Sequence, residues 1–130
     1  MNDTEVIKKF YTALNGADTS GAVALVDPEI ERMEFPDSPT PKNLRGLAAM
    51  SEHITDGRKT WAEGSCAPQE FFINGDKIVV DVHVHVRQNG KTEWIDAHVF
   101  DAFMMKNGKI TQFHSFVKRA EAFAWAGLKN

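Results

Sequence analysis

Between Ile78 and Phe100 the chain reads IVVDVHVHVR, then QNGK, then TEWIDAHVF, and few local structures accept that order. Valines 80, 82, 84 and 86 alternate with Asp81, His83, His85 and Arg87, which is the period of a β-strand with two unlike faces. Asn89-Gly90 is the dipeptide favoured in a type I′ hairpin turn, because both central residues there take positive φ. A two-residue loop sets the cross-strand partners: Gln88 faces Lys91, His85 faces Trp94, His83 faces Asp96 and Asp81 faces His98. One face then holds two Asp/His pairs and a His/Trp pair. The other holds Val84 with Ile95, Val82 with Ala97 and Val80 with Val99. A one-residue slip or a bulge would exchange the faces.

Upstream, Asn2 or Asp3 can cap a first helix on which Val6, Ile7, Phe10, Tyr11 and Leu14 share one side, with Asn15-Gly16 as its end. A second, short helix starts near Asp18 to Ser20 and stops at Asp27-Pro28; a strand follows from Ile30 to Phe35. Prolines 36, 39 and 41 mark a loop across the surface or a pocket mouth, and Leu47, Met50 and Ile54 mark a third helix ending near Asp56-Gly57. Cys66 to Ile73 reads as a strand, turned by Asn74-Gly75 into the central hairpin. A third Asn-Gly turn at 107–108, also two residues long, pairs Phe100 with Ser115, Asp101 with His114 and Ala102 with Phe113. That register adds Phe113, Ser115 and Val117 to the histidine face. Lys118 to Leu128 is amphipathic enough for a closing helix. Helices followed by a meander of strands predict an α+β class in one domain over residues 1–130.

The bulk composition narrows the function. A formal charge of −3 with scattered lysines and arginines leaves no basic stripe for phosphates, so no nucleic-acid partner is expected. No apolar run approaches the roughly 18 residues of a membrane span, and the first residues lack a basic start and apolar core. The expectation is a cytoplasmic protein with no membrane partner. The single cysteine, Cys66, excludes an internal disulfide and a cysteine-rich zinc site, and reads as an inert small apolar side chain.

The helix ending at Asp27-Pro28-Glu29-Ile30, the proline loop, the Arg45-Gly46 entry to the third helix, and a meander closing with Asn107-Gly108-Lys109-Ile110-Thr111 occur in a telling order. This layout resembles the nuclear transport factor two-like superfamily, and within it the SnoaL-like polyketide cyclases and ketosteroid isomerase relatives, over nearly the full chain. The resemblance implies a cone-like fold, a curved and mostly antiparallel sheet wrapped around N-terminal helices and enclosing a small-molecule pocket. It also implies a homodimer through the outer sheet face. Tyr11 looks like the tyrosine that donates to the oxyanion in ketosteroid isomerases, and Glu34 sits about where their general-base aspartate does. Their second acid falls near Phe100, or near Asp101 if the hairpin is a residue longer. The aspartate that SnoaL-like cyclases and limonene epoxide hydrolases carry in the last strand falls at Ser115. With those acids replaced, neither steroid isomerisation nor epoxide hydrolysis by the known arrangements carries over.

His83, His85 and His98 with Asp81 and Asp96 admit three uses. They can serve acid/base or substrate-binding chemistry, because a carboxylate orients an imidazole and raises its pKa; they can hold a divalent metal; or they can form a polar face at a wet dimer interface. The reading carried forward is an isomerase, cyclase or hydratase without cofactor or resident metal, acting on an apolar carbonyl-bearing molecule. Glu34, or Asp96 with His83, or Asp81 with His98, would move the proton. Tyr11 would steady the oxyanion, or serve as a plain core tyrosine. Trp61 and Trp94 would wall the pocket, with Asp81, His85, His98, Phe100, Phe113 and Ser115 as ligand contacts. The alternatives are a non-catalytic ligand-binding or dimerisation module, and a metal-dependent enzyme using His83, His85, His98 and Asp96. His53 and His114 read as solvent or interface residues. All of these site expectations require the imidazoles to point into the hollow of the cone and the valines to face outward.

Overall fold

The computed structural model describes residues 1–39 and 42–129, so Pro41 of the expected proline loop lies outside the described residues. The elements run α1 (Asp3–Asn15), α2 (Thr19–Val23), β1 (Val26–Met33), β2 (Asn43–Arg45), α3 (Leu47–Lys59), β3 (Trp61–Asn74), β4 (Lys77–Gln88), β5 (Trp94–Lys106), β6 (Lys109–Phe116) and α4 (Arg119–Ala126). Asn2 caps α1 by accepting from the Glu5 amide at 2.8 Å, and Asp18 caps α2 through the Gly21 amide at 2.9 Å. Strand β1 begins earlier than the Pro28 signal suggested. Its pairing with β6 shifts between Val26 and Glu31, so proline sits in an irregular stretch where its missing N–H interrupts little of the ladder.

The strands form one curved sheet in the order β2-β1-β6-β5-β4-β3, with β1 and β6 parallel and the other neighbours antiparallel. Helices α1 and α3 cover its inner face. There Val6, Ile7, Phe10 and Tyr11 of α1 and Met50 and Ile54 of α3 join Ile78, Val80, Val82, Phe103 and Phe113 in the main core. Each large side chain buried this way contributes about 1.5–3 kcal/mol. On the outer face α4 covers one end of the sheet, packing Ala122, Phe123 and Ala126 against Val79 and Ala102, with Phe100 and Phe116 beside them. Among the described residues, no helix is long and apolar enough to cross a membrane.

The valines therefore face inward and the histidines outward, the reverse of the expectation. The apolar stripe of α1 needs an apolar sheet face to bury, and seating the Asp/His row there would have meant removing several ionisable groups from water.

Both hairpin registers also differ from the expected ones. Across β4 and β5 the partners are Arg87 with Trp94, His85 with Asp96, His83 with His98 and Asp81 with Phe100. Gly90 has φ 75°, but Asn89 is not among the positive-φ residues, so the turn is not type I′. The reason is tertiary: the Asn89 amide donates to Thr60 O at 2.9 Å and its side chain to Lys59 O at 2.6 Å, tying the turn to the end of α3. Residues 89–93 form the connection. The register moves by two, an even number, so the division of residues between faces survives. The expected side-chain pairs form diagonally: His83 to Asp96, His98 to Asp81, and His85 stacked on Trp94.

Across β5 and β6 the shift is odd. Asn107 (φ 52°) and Gly108 (φ 75°) do make a tight turn with positive φ at both residues, and Lys106 pairs with Lys109 and Met105 with Ile110. The register then slips so that Met104 pairs with Gln112, Phe103 with Phe113 and Asp101 with Ser115. Thr111 is the extra residue, its hydroxyl donating to Met104 O at 3.0 Å. This bulge turns Phe113 and Ser115 to the inner face and leaves Phe100 opposite Phe116 on the outer one.

Candidate functional site

A cavity of about 440 Å³ opens between the inner face of the sheet and helices α1 and α3. Its walls are apolar: Phe10 and Leu14 from α1, Met50 and Ile54 from α3, Trp61 and Cys66 from β3, and the inner rows Val82-Val84-Val86 and Ile95-Ala97-Val99 of β4 and β5. Tyr11, Arg32, Asp101 and Ser115, joined by hydrogen bonds, meet the cavity, and His53 of α3 also lines it.

Tyr11 donates its hydroxyl to Asp101 Oδ2. Ser115 donates to Asp101 Oδ1 at 2.8 Å and accepts from an Arg32 terminal nitrogen at 3.0 Å. The other Arg32 terminal nitrogen donates to the carbonyls of Met33 at 2.5 Å and Phe113 at 3.3 Å, and the guanidinium lies 4.1 Å over the Phe113 ring. Arg32 Nε is buried with no partner among the described residues. Arg32, Asp101 and Ser115 are the buried polar residues of the described chain.

Burial dominates the electrostatics of this cluster. It pushes Tyr11 well above the usual phenol value, with Asp101 adding to the shift. It raises Asp101 above its ordinary value, although the Tyr11 hydrogen bond, the Arg32 charge and the Ser115 hydrogen bond all oppose it. Arg32 is lowered by burial, with Asp101 chief among the groups that hold its charge in place. His53 is lowered by burial and then by Arg32, which leaves a neutral imidazole on the cavity wall at neutral pH. Cys66 is pushed up to about 12 by burial, which leaves the thiol protonated and inert.

Of the residues singled out from the sequence, Tyr11, Trp61, Phe113 and Ser115 line the cavity. Glu34 follows β1, half-buried, with its amide bonded to Lys42 O at 3.1 Å, and is not part of the lining. Asp81, His83, His85, Trp94, Asp96 and His98 stand on the outer face, and Phe100 packs with the α4 cluster. The sheet separates them from the cavity because the valine rows took the inner side.

Arg32 was missed, Asp101 was named only as the alternative position of the second acid, and His53 was read as a solvent or interface residue, yet each left a mark in the sequence. Arg32 is in phase with the buried Ile30 on β1, and Asp101 is in phase with Ala97, Val99 and Phe103 on β5. A charged residue in step with a core-facing row is the informative exception to the alternation. His53 belongs with Met50, Ile54 and Gly57 at the i, i+3, i+4, i+7 spacing of one helix face.

Among solved structures, a putative isomerase from Bacillus subtilis superposes with a TM-score of 0.79 at 20% identity, over 95% of this chain and 96% of that one. A hypothetical protein with a ketosteroid isomerase-like fold from Catenulispora acidiphila, in complex with trimethylamine, gives 0.78 at 11% identity over 96% and 94%. TerC, co-crystallised with polyporic acid, gives 0.76 at 20% identity over 95% and 96%. No curated protein matches the chain. Residues 7–113 match the sequence profile of the SnoaL-like domain, a span that runs from the buried Ile7 of α1 to Phe113 beside Arg32. The chain belongs to the SnoaL-like domain family.

Proposed function

We propose that the cavity binds a small, mostly apolar molecule carrying a carbonyl group and catalyses proton transfer next to that carbonyl, as an isomerase or cyclase of cofactor-independent type. The observation that carries this reading is a buried Tyr11–Asp101 pair set in a mostly apolar cavity. Burial favours the protonated carboxyl at Asp101. A protonated Asp101 donates to the Tyr11 oxygen and frees the tyrosine hydrogen for a ligand oxygen, where negative charge develops as an enolate forms.

His53 takes the role of base that the sequence reading gave to Glu34 or to an Asp/His pair. Its neutral ring accepts the proton from the carbon beside the carbonyl, and the resulting imidazolium returns it to another carbon of the same molecule. The electron pair passes to the carbonyl oxygen and back, so no co-reactant is consumed. The homodimer belongs to the same proposal, with the second copy on the outer face of β4 and β5; sedimentation of the purified chain tests it, and a monomer at high protein concentration counts against it.

The test of the chemistry uses 2-tetralone as an apolar ketone and 2-naphthol as a planar enolate analogue. Proton NMR in D2O should show catalysed exchange of the ketone α-hydrogens, slowed by roughly 10²-fold or more in His53→Gln and by a similar factor in Tyr11→Phe. Saturable binding of 2-naphthol without exchange of any ketone would favour the non-catalytic binding module. Exchange unaffected by both substitutions would overturn the assignment of residues.

A further inference from the structure

We propose that His83, His85 and Asp96 form a binding site for zinc(II) or a cation of similar preference on the outer face of β4 and β5, separated from the cavity by the sheet. The His-Val-His spacing aims both imidazoles from one side of β4, and Asp96 is registered directly across from His85 on β5. Asp96 Oδ1 lies 2.5 Å from His83 Nε2 and 3.6 Å from His85 Nδ1. The three donor atoms all fall within 4.8 Å of one another. Metal bonds of about 2.0–2.2 Å place tetrahedral donors roughly 3.3 Å apart, so ligation requires His83 and Asp96 to spread from 2.5 Å and the two imidazole donors, within 4.8 Å of each other, to draw together. The cation would replace the hydrogen that His83 and Asp96 now share.

The rings are held from behind. His85 stacks on Trp94 with centroids 4.4 Å apart and planes 15° off parallel, and His83 stacks on His98 at 5.1 Å and 16°. His98 is fixed in turn by Asp81, 2.7 Å from its Nδ1. Such support lowers the ordering cost of ligation. Two imidazoles and one carboxylate suit zinc, cobalt or nickel better than calcium or magnesium, which prefer oxygen alone. In the single chain the side chains are 37%, 50% and 64% exposed for His83, His85 and Asp96, so water, or a donor from the second copy that the proposed dimer seats on this face, can complete the coordination shell.

The competing account is a row of hydrogen-bonded side chains with no cation. The two separate cleanly in untagged, chelator-stripped protein titrated with cobalt(II), followed by its visible absorption, and with zinc(II) by calorimetry. The expected result is one equivalent per chain, whether the chain sediments as monomer or dimer. Binding should weaken by roughly tenfold or more in His83→Ala and in Asp96→Asn, with circular dichroism confirming that both remain folded, and should persist in His53→Gln. Absence of saturable uptake up to millimolar metal, or uptake indifferent to both substitutions, would overturn the site. Neither result bears on the cavity chemistry, which is read on different residues by a different assay.

Discussion

Arg32 and Asp101 are buried together with the Ser115 hydroxyl between them, and their coupling can be worked out and measured. Asp101→Leu removes the group chief in sustaining the Arg32 charge and the partner of both Tyr11 and Ser115. Arg32→Met leaves the Asp101 carboxyl in an apolar wall without the charge that offsets its burial. Breaking a buried pair from one side costs about 3–5 kcal/mol, and for a domain of this size each kcal/mol moves Tm by roughly 3–5 °C. Each single variant should therefore melt about 10–25 °C below the parent. The double variant Arg32→Met/Asp101→Leu removes both polar groups and fills the space with apolar atoms, so it should be more stable than either single variant. Urea unfolding of all four proteins closes the double-mutant cycle, and a coupling of about 2 kcal/mol or more is expected from a pair this buried. If the double variant loses the sum of the two single losses, Arg32 and Asp101 do not sense each other, and the polar cluster is only a set of separate hydrogen bonds.

Gly64 has φ 116°, and an added Cβ would stand 2.1 Å from His85 O, so Gly64→Ala should cost at least about 2 kcal/mol through backbone strain; equilibrium unfolding within 0.5 kcal/mol (roughly the surface-substitution range) of the parent would refute this. His114 is held down to about 4, from 6.5, chiefly by burial, so the unfolded chain takes up its proton first as pH falls. Its contribution to stability is intact above pH 6.5 and is lost progressively down to pH 4. The loss is about 1–2 kcal/mol after allowance for the part of the ring that meets solvent, and His114→Gln should flatten that segment of the stability–pH curve. Cys66, with its thiol pushed up to about 12, should resist iodoacetamide in the native protein at pH 8 and react promptly in urea; rapid native alkylation would contradict its burial.

Alternation by itself sorted β4 and β5 into two unlike faces, and that sorting outlasted a two-residue change of register. Capping residues and apolar spacing likewise placed α1 and α3 close to where they lie. Asp101 was harder to place, because its partner depends on a single extra residue at Thr111, and nothing in Lys109-Ile110-Thr111-Gln112 announces a bulge. The Asn89-Gly90 turn misled for another reason. Its local preference was overridden by two hydrogen bonds to the end of α3, some thirty positions away in the chain.

What the amino-acid order determined alone was periodicity: which side chains travel together on a strand or a helix. Which of those groups turns toward the helices was decided only in three dimensions, because burial is a property of two surfaces that meet. The α1 stripe took the valines, the histidines kept their water, and one bulged residue brought Ser115 across to Asp101.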